Sequence, residues 1–259
     1  VEGRLRADAL VNALEMFAEA KLIEVSRPDQ APTARRVAVG PNAVYVTVDS
    51  KRLALDTSKN AIVHFFVERA LVAYALLVDG GEPVSAASLR ERVYELSRLF
   101  KVEFRFRADA PFDVILQDTL SAMKADSEIA ESSERFEPGP GREGWSGREW
   151  LAAYAAIFRN FFEGYRAAAR SLAELLERPL ADKELVRRGL TVGNRLFLEG
   201  TLRRFEAVSK PILQNAYAAF ADQGYVIHRE GKYHAGPELS PQKLDELEQS
   251  VAKYLLSPA

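Results

Sequence analysis

Apolar residues recur along most of the chain at the spacing of one helix face, which predicts a mainly α protein. Residues 10–21 show this pattern near the start of the sequence. Residues 60–78 predict one buried helix, or two helices broken near Glu68. The longest pattern, at 150–176, is expected to end at Pro179. Shorter helices are predicted at about 85–100, 109–124, 182–188, 191–209, 211–223 and 241–256.

Two stretches alternate in polarity instead, as the two faces of a β-strand do. In residues 42–50, Val44, Val46 and Val48 alternate with more polar neighbours. Residues 225–236 have the pattern of a hairpin. The run at 101–107 fits either a strand or the frayed end of the preceding helix. The predicted fold class is therefore mainly α with a few short β-hairpins.

The segment 132–147 is the clearest predicted linker, because it holds two prolines, four glycines and little apolar content. It divides the sequence into two halves. We expect an N-terminal helical subdomain with a short hairpin at 1–131 and a C-terminal helical subdomain at 148–259.

A weak internal repeat relates the two ends of the chain. Residues 10–24 align with residues 213–227, and each copy is a helical pattern leading into a strand-like stretch. A helix followed by a hairpin resembles part of a winged-helix module, so winged-helix-like units are predicted at the two ends. Chance or shared architecture explains so short a match as well as duplication does. The identical pairs are Leu10 and Leu213, Asn12 and Asn215, Ala13 and Ala216, Phe17 and Phe220, and Ala18 and Ala221.

Composition excludes several classes of site. The chain has 259 residues and no cysteine, which rules out disulfides, thiolate metal ligands and a cysteine nucleophile. Its formal net charge of −2 gives no basic field of the kind that drives non-specific nucleic-acid binding. The longest uncharged apolar run near the centre, at 70–78, is too short to cross a bilayer as a helix. We therefore predict no transmembrane helix, no bound metal and no cofactor, and peripheral membrane contact is compatible with the sequence.

Three polar residues lead into the pattern at 60–78. Asn60 and His64 share a helix face because they are four residues apart, and Lys59 precedes them. In a functional interpretation, these candidate binding residues grip a phosphate, face an active site or contact a neighbouring domain. In a structural interpretation, which the sequence favours, Asn60 caps the helix and His64 is a hydrogen-bonded, partly buried histidine.

Two larger groups also have a functional and a structural interpretation. Basic residues between phenylalanines suit an anionic headgroup, but acidic neighbours favour a mutually neutralised surface. The basic residues are Arg98, Lys101, Arg105 and Arg107, and the acidic residues are Glu95, Glu103, Asp109 and Asp113. An aromatic stripe suits an acyl-chain groove, but its helical spacing favours a packed core or a domain interface. The stripe consists of Trp150, Tyr154, Phe158, Phe161, Phe162 and Tyr165.

Two stretches resemble the C-terminal region of the bacterial glycerol-3-phosphate 1-O-acyltransferases. They are RLALDTSKNAIVHFFVERALVAYALLV at 52–78 and ELSRLFKVEFRFRADAPFDVILQDTLSAM at 95–123. The family commonly reads like YKNNxxH in the first stretch, and Lys59, Asn60 and His64 match that motif. Ser58 and Ala61 depart from it.

The family's chemistry uses an HxxxxD motif, in which the histidine is the general base and the aspartate orients it. This chain has no such motif, since Arg69, Tyr233 and Leu239 stand five residues after its three histidines. The resemblance thus implies a non-catalytic region that packs on and supports an upstream acyltransferase domain in phospholipid biosynthesis. It implies contact with glycerol 3-phosphate and with acyl-CoA or acyl carrier protein only through that domain.

The resemblance also implies a location and a chain context. The parent enzyme acts at the cytoplasmic face of the inner membrane, as a peripheral membrane protein, and the region itself is expected to be soluble. The sequence opens on valine and reads as chain already in progress, so we expect it to be part of a longer polypeptide. No nucleic-acid partner is expected.

Two alternatives from other classes stay open. One is a free-standing winged-helix-like regulator, which salt-sensitive DNA binding would support. Glu15 and Glu19 on the first predicted helix argue against it, because a recognition helix needs basic and amide side chains. The other is a helical interaction scaffold, which a stable hydrophobic dimer would support.

Overall fold

A computed structural model describes residues 6–27, 43–52, 54–55, 62–104 and 110–255. Over these residues the protein has eight α-helices and a few short antiparallel strand pairs, which confirms the predicted fold class. Two compact units divide the chain, one at Val1–Phe66 and one at Val67–Ala259. None of the helices in the described ranges is long and apolar enough to span a membrane.

The first unit contains a helix followed by a hairpin. Helix α1 spans Ala7–Glu19 and packs on strand β1, Ile23–Ser26. Strand β2, Val44–Thr47, pairs antiparallel with β1 and confirms the strand predicted from alternating polarity. A 3-10 turn at Val63–Phe66 lies at the end of this unit.

The second unit opens with a repeat that has winged-helix topology. Its first helix packs against the next two helices. Its short first strand pairs with the second strand of the hairpin, so the sheet order is β3-β5-β4. In chain order the elements are α2 (Val67–Leu77), β3 (Val84–Ser85), α3 (Ala86–Leu99), α4 (Phe112–Ala125), β4 (Ile129–Ser132) and β5 (Arg135–Pro138).

A second repeat of the same topology follows directly. Its sheet order is β6-β8-β7, so its short first strand again pairs with the second hairpin strand. A last helix, α8 (Pro241–Ala252), packs against α5. In chain order the repeat contains α5 (Gly147–Ser171), β6 (Leu180–Ala181), α6 (Asp182–Leu198), α7 (Lys210–Asp222), β7 (Val226–Arg229) and β8 (Lys232–Ala235).

The helix that leads into each hairpin ends in the same way in α1, α4 and α7. After each of these helices, one residue takes a positive φ. The angle is 55° at Lys21, 58° at Ser127 and 81° at Gly224. The following N–H then donates to the carbonyl five residues back, which is the Schellman helix end. These bonds run from Leu22 to Phe17 at 2.9 Å, from Glu128 to Met123 at 2.9 Å, and from Tyr225 to Phe220 at 3.0 Å. The described part of the chain therefore contains three copies of one helix–hairpin junction.

The winged-helix unit predicted at the C-terminal end is present, because the helix and hairpin at 210–235 complete the second repeat. A further complete unit, which the sequence did not predict, lies at the centre of the chain. In the described part of the N-terminal end, only the last helix and the hairpin of such a unit are present. The central copy escaped detection because Asp118, Thr119, Met123 and Lys124 replace four of the five residues that the two ends share.

Helix α5 forms the core of the second unit. It packs against α2, α6, α7 and α8, and its six predicted stripe residues are at most 3% exposed. The packed core predicted from helical spacing is thus confirmed. Phe100, at the end of α3, is fully buried against this stripe. Its ring centroid lies 4.8 Å from that of Phe162, 5.0 Å from Tyr165 and 5.8 Å from Phe158.

The segment 132–147, predicted to be a linker, is ordered and lies inside the second unit. It contains β5, a bridge between Arg142 and Trp145, and the start of α5. Ser146 begins α5 with a capping box, because its N–H donates to the Glu149 carboxylate at 2.7 Å and its hydroxyl accepts from the Glu149 N–H. Glycine is needed here for close approach, since a Cβ on Gly147 would lie 2.4 Å from the backbone of Gly139. These residues therefore form regular elements within the second unit.

Two other element predictions can be compared with the structure. The separate helices predicted at 182–188 and 191–209 are one helix, α6, in which Gly189 is a close-packing position rather than a break. A Cβ on Gly189 would lie 2.4 Å from the hydroxyl of Tyr217. Of the two interpretations of 101–107, the frayed helix end fits residues 101–104, which form turns directly after α3, and residues 105–107 lie outside the described ranges.

Candidate functional site

The three candidate binding residues are placed only in part. Lys59 and Asn60 lie outside the described residues. His64 lies in the 3-10 turn of the first unit, with an exposed side chain, so it is not the partly buried histidine of the structural interpretation. Its neighbours Ile62 and Phe65 are also about half exposed. A shared binding role for the three residues stays a prediction.

A buried ionic cluster is the most constrained polar feature of the second unit. The fully buried Glu128 accepts hydrogen bonds from Arg142 Nη2 at 2.7 Å and from the Tyr154 hydroxyl at 2.9 Å. Its other oxygen is bound by Arg69 Nη1, and Arg69 Nη2 also donates to Asp126 at 2.9 Å. Arg69 itself is only 5% exposed. Each charge in this cluster therefore has an opposite charge within hydrogen-bond distance, as burial requires.

The cluster joins parts of the fold that are distant in sequence. Arg69 is on α2, Glu128 directly precedes β4, Arg142 precedes α5, and Tyr154 is on α5. Burial by itself lowers the pKa of Arg69, but Glu128, Tyr154 and Asp126 together outweigh it and raise the pKa above its ordinary value. The guanidinium of Arg142 also stacks on the ring of Trp150 at 4.0 Å. The arrangement fixes the hairpin of the first repeat against α2 and α5.

A second buried carboxylate fixes the loop after α6. Glu163, on α5, is 1% exposed and accepts a hydrogen bond from Arg159 Nε at 3.0 Å. Its other oxygen accepts from the backbone N–H groups of Arg203 and Arg204 at 2.9 and 2.7 Å. Both oxygens of Glu163 thus accept hydrogen bonds from the fold itself.

The predicted basic group connects the two repeats. Lys101 Nζ lies 2.5 Å from Asp222 Oδ1 at the end of α7, and Arg98 lies 3.8 Å from the same carboxylate. The hydrogen bond from Lys101 holds the pKa of Asp222 below its ordinary value. Asn215 on α7 also donates to Glu103 at 3.0 Å. The expected neutralisation is present, but Arg98 and Lys101 pair with Asp222, a partner that the sequence did not predict.

One further charged residue of this group, Asp113, also has an identified partner. Asp113, on α4, forms a two-bond pair with Arg90 on α3, at 2.6 and 3.0 Å. This pair is exposed, and the side-chain hydrogen bond from Arg90 holds the pKa of Asp113 below its ordinary value. Arg105, Arg107 and Asp109 lie outside the described residues.

Sequence reasoning missed Arg69, Glu128 and Arg142 as a cluster. Their separation along the chain leaves no motif, because the contacts depend on how α2, the hairpin and α5 pack. One signal was present, since Arg69 immediately precedes the uncharged apolar run at 70–78. A cation on a buried helix needs a buried anion, and that requirement predicts a partner without naming it.

An apolar groove of about 270 Å³ lies between α2, α3 and α4. Its walls are mainly Leu71, Val72, Val93, Ile115 and Leu116, with Glu68 and Arg98 among the polar groups. The described residues that line it include no histidine. In the described part of the chain, no group of three or more histidine, aspartate or glutamate side chains is placed to hold a metal ion. The groove therefore offers neither a histidine base nor a metal ligand set.

One histidine does contact a carboxylate. His228 Nε2, on β7, lies 2.8 Å from Asp182 Oδ1 at the start of α6, and both side chains are about half exposed. The His228 ring also packs against Tyr233 of the neighbouring strand, with 4.6 Å between ring centroids. This pair fastens the hairpin to the start of α6, beside the hydrogen bond from the Asp182 N–H to the Gly231 carbonyl, which corresponds to the Ala86–Glu134 backbone bond of the first repeat.

Comparison with known proteins gives one family match. A family model described as the glycerol-3-phosphate acyltransferase C-terminal region matches residues 3–229. The matched range runs from α1 to the end of β7, well beyond the stretches at 52–78 and 95–123 that carried the resemblance. No curated protein matches the chain. Because the family match covers most of the sequence, the chain belongs to the family of the glycerol-3-phosphate acyltransferase C-terminal region.

Proposed function

We propose that this chain is the non-catalytic C-terminal part of a glycerol-3-phosphate 1-O-acyltransferase and that it packs on and supports an upstream HxxxxD domain. The observation that carries the proposal is the family match over residues 3–229 in a sequence that contains no HxxxxD motif. The upstream domain would bind glycerol 3-phosphate and the acyl donor and would carry out the transfer that begins phospholipid synthesis. This chain would contribute structure and an interface.

The use of buried polar groups supports a non-catalytic role. The buried carboxylates Glu128 and Glu163 are each held by several donors of the fold itself. A general base in acyl transfer must instead reach the substrate hydroxyl through an open site. His228 is engaged with Asp182, and five residues after it stands Tyr233 rather than an aspartate.

Exposed apolar side chains support a docking role for the first unit. Solvent-exposed patches of this kind mark interaction surfaces in soluble proteins. The first unit contributes a large share of the exposed apolar side chains in the described ranges, although it is the smaller unit. They are Val11 at 40% exposed, Met16 at 67%, Val44 and Val46 at 52% each, Ile62 at 52% and Phe65 at 51%.

The winged-helix topology does not by itself favour nucleic-acid binding. A recognition helix meets DNA with basic and amide side chains. The exposed side chains of α4 are Asp113, Val114, Gln117, Asp118, Ser121 and Ala125. Those of α7 are Lys210, Pro211, Gln214, Ala218 and Asp222. These faces suit protein contacts better than phosphate contacts, so we propose no nucleic-acid partner.

The location of the chain follows from that of the parent enzyme in the same proposal. It would lie at the cytoplasmic face of the inner membrane, held there by the whole polypeptide, and would touch the bilayer at its periphery. Acyl-CoA or acyl carrier protein would meet the upstream domain rather than the two repeats.

The first test is an acyltransferase assay on the purified chain. With glycerol 3-phosphate and an acyl-CoA, we expect no release of coenzyme A above the rate without protein. The parent enzyme, which carries the HxxxxD motif, serves as the positive control under the same conditions. Turnover by the chain alone, at a rate that scales with its concentration, would overturn the non-catalytic assignment.

A further inference from the structure

The described residues of the first unit repeat the second half of a winged-helix unit. Helix α1 and the hairpin β1–β2 correspond to α4 with β4–β5 and to α7 with β7–β8, and all three share the Schellman junction. In both complete units, a helix, a short strand and a second helix come directly before this part. Within the described residues of the first unit, no such helix–strand–helix segment precedes α1.

The complete units show what occupies the corresponding edge of the hairpin. In the first repeat, Val84 of β3 lies opposite Phe136, and in the second, Leu180 of β6 lies opposite Tyr233. The register of the three hairpins makes Tyr45 the equivalent of Phe136 and Tyr233. In the described part of the chain, β1 and β2 form a two-stranded sheet, so β2 has no third strand on this edge.

The apolar face of α1 is also less buried than the equivalent faces of α4 and α7. Leu10, Leu14 and Phe17 of α1 are all partly exposed. In the complete units the equivalent positions are packed beneath the first helix, α2 or α5, and are 0–7% exposed. These equivalents are Leu116, Leu120 and Met123 in the first repeat and Leu213, Tyr217 and Phe220 in the second. The side chains in α1 thus match those of a buried core, but they are less covered than their equivalents in the two complete units.

The outer face of β2 also differs from its two counterparts. The positions equivalent to Val44 and Val46 hold Arg135 and Glu137 in the first repeat and Lys232 and His234 in the second. In the complete units these are polar side chains suited to water. Because Val44 and Val46 are each 52% exposed, this face of β2 has the composition of a contact surface.

We propose that the first unit is the second half of a third winged-helix unit, completed by a helix–strand–helix segment of the parent polypeptide directly upstream of this chain. The new strand would pair with β2 at Val44 and Tyr45, and the new helices would cover Leu10, Leu14 and Phe17. The segment spans residues 67–111 in one complete unit and 147–209 in the other, which sets its expected length at 45–63 residues. This proposal rests on the proposed function, because it takes the segment from the acyltransferase that contains the chain.

Chain order favours this source over a second copy of the chain. In both complete units the covering elements come immediately before the last helix in the same polypeptide. Consecutive elements usually pack together, and an exposed strand edge readily accepts another strand. A second copy has no unpaired helix–strand–helix segment among its described residues, because both of its segments already cover their own hairpins.

Hydrogen–deuterium exchange tests the proposal on two proteins, the present chain and the same chain extended upstream by about 65 residues of the parent sequence. In the extended chain, we expect amide protection of α1 and β2 to rise about tenfold or more, since protection reports the stability of the local unit. The equivalent amides of α4 and β5 are the internal control and should not change. Equal protection of α1 and β2 in the two proteins would overturn the proposal.

A matched pair of substitutions separates core completion from a loose contact. Leu14→Ala should lower the protection of the first unit strongly in the extended chain and only slightly in the present chain. Leu120→Ala, at the equivalent position of the first repeat, should lower protection of that repeat by the same factor in both. If Leu14→Ala acts equally in both proteins, the upstream segment does not cover α1.

Two other outcomes also count against the proposal. Protection of β2 that rises with protein concentration in the present chain would assign the edge to a second copy. Protection unchanged by the extension, in a chain that still binds a separately expressed HxxxxD domain, would reject the completed winged helix and leave the proposed function standing. If the extended chain also fails to bind the HxxxxD domain, both the completed winged helix and the proposed function are rejected.

Discussion

Replacing Arg69 with methionine should lower the free energy of unfolding of the second unit by about 3–5 kcal/mol. The substitution keeps a long side chain on α2 but removes one of the two guanidinium groups that hold the fully buried Glu128. A buried carboxylate that loses a charged partner keeps its desolvation cost without the compensating attraction. Urea denaturation followed by circular dichroism measures the loss.

A substitution of Glu128 and a double variant test whether Arg69 and Glu128 act as a pair. Glu128→Gln should cost a similar amount, because Arg69 and Arg142 would then face a neutral amide. The double variant should lose less than the sum of the single variants, since each substitution removes the group that the other leaves unpaired. Additive losses would show that Arg69 and Glu128 do not stabilise the fold through each other.

Arg90→Met is the matched control. Arg90 also forms a two-bond pair with a carboxylate, Asp113, but both of these side chains are more than half exposed. Exposed pairs contribute little because water and salt screen them. We therefore expect the stability of this variant to be nearly that of the unaltered chain. An equal loss in Arg69→Met and Arg90→Met would contradict the assignment of the buried cluster.

Replacing Phe100 with alanine should cost about 3–5 kcal/mol, the range for removing a buried aromatic ring from a packed core. Phe100 is fully buried, and its ring meets Phe162, Tyr165 and Phe158 of α5. It lies where α3 ends, close to the contacts of Lys101 and Glu103 with α7. The loss should therefore also weaken the contact between the two repeats.

Leu198→Ala is the control for the core substitution. Leu198 ends α6 and is 85% exposed, so its truncation removes little buried apolar area and should change stability by less than about 0.5 kcal/mol. Thermal unfolding by calorimetry compares the two variants directly. If Phe100→Ala unfolds with the same free energy as Leu198→Ala, the α3–α5 contact is not a major part of the core.

Local pattern was enough to predict most helices and the β2 strand. The stripe of α5 follows helical spacing and is buried as a unit, because periodicity reports which face meets the core. Val44 and Val46 alternate with Tyr45 and Thr47, and strand β2 spans these four residues. Such features depend on neighbours a few residues apart, which the sequence displays directly.

Features that depend on distant contacts were missed. The glycines of 132–147 suggested a linker, but Gly147 is glycine because the backbone of Gly139 lies against it. Asp222 became the partner of Lys101 because α7 packs against α3, and no spacing rule anticipates that contact. The central winged-helix unit shares geometry rather than side chains with the other copies, since Ser127 takes the positive φ that Gly224 takes.

The central claim is that this chain supports a catalytic domain that it does not itself contain. Titrating the purified chain into a separately expressed HxxxxD domain, while the acylation of glycerol 3-phosphate is followed, tests it most directly. The predicted result is a rate that rises and saturates with added chain, with no turnover by the chain alone. A rate that does not change at any concentration of the chain would contradict the claim.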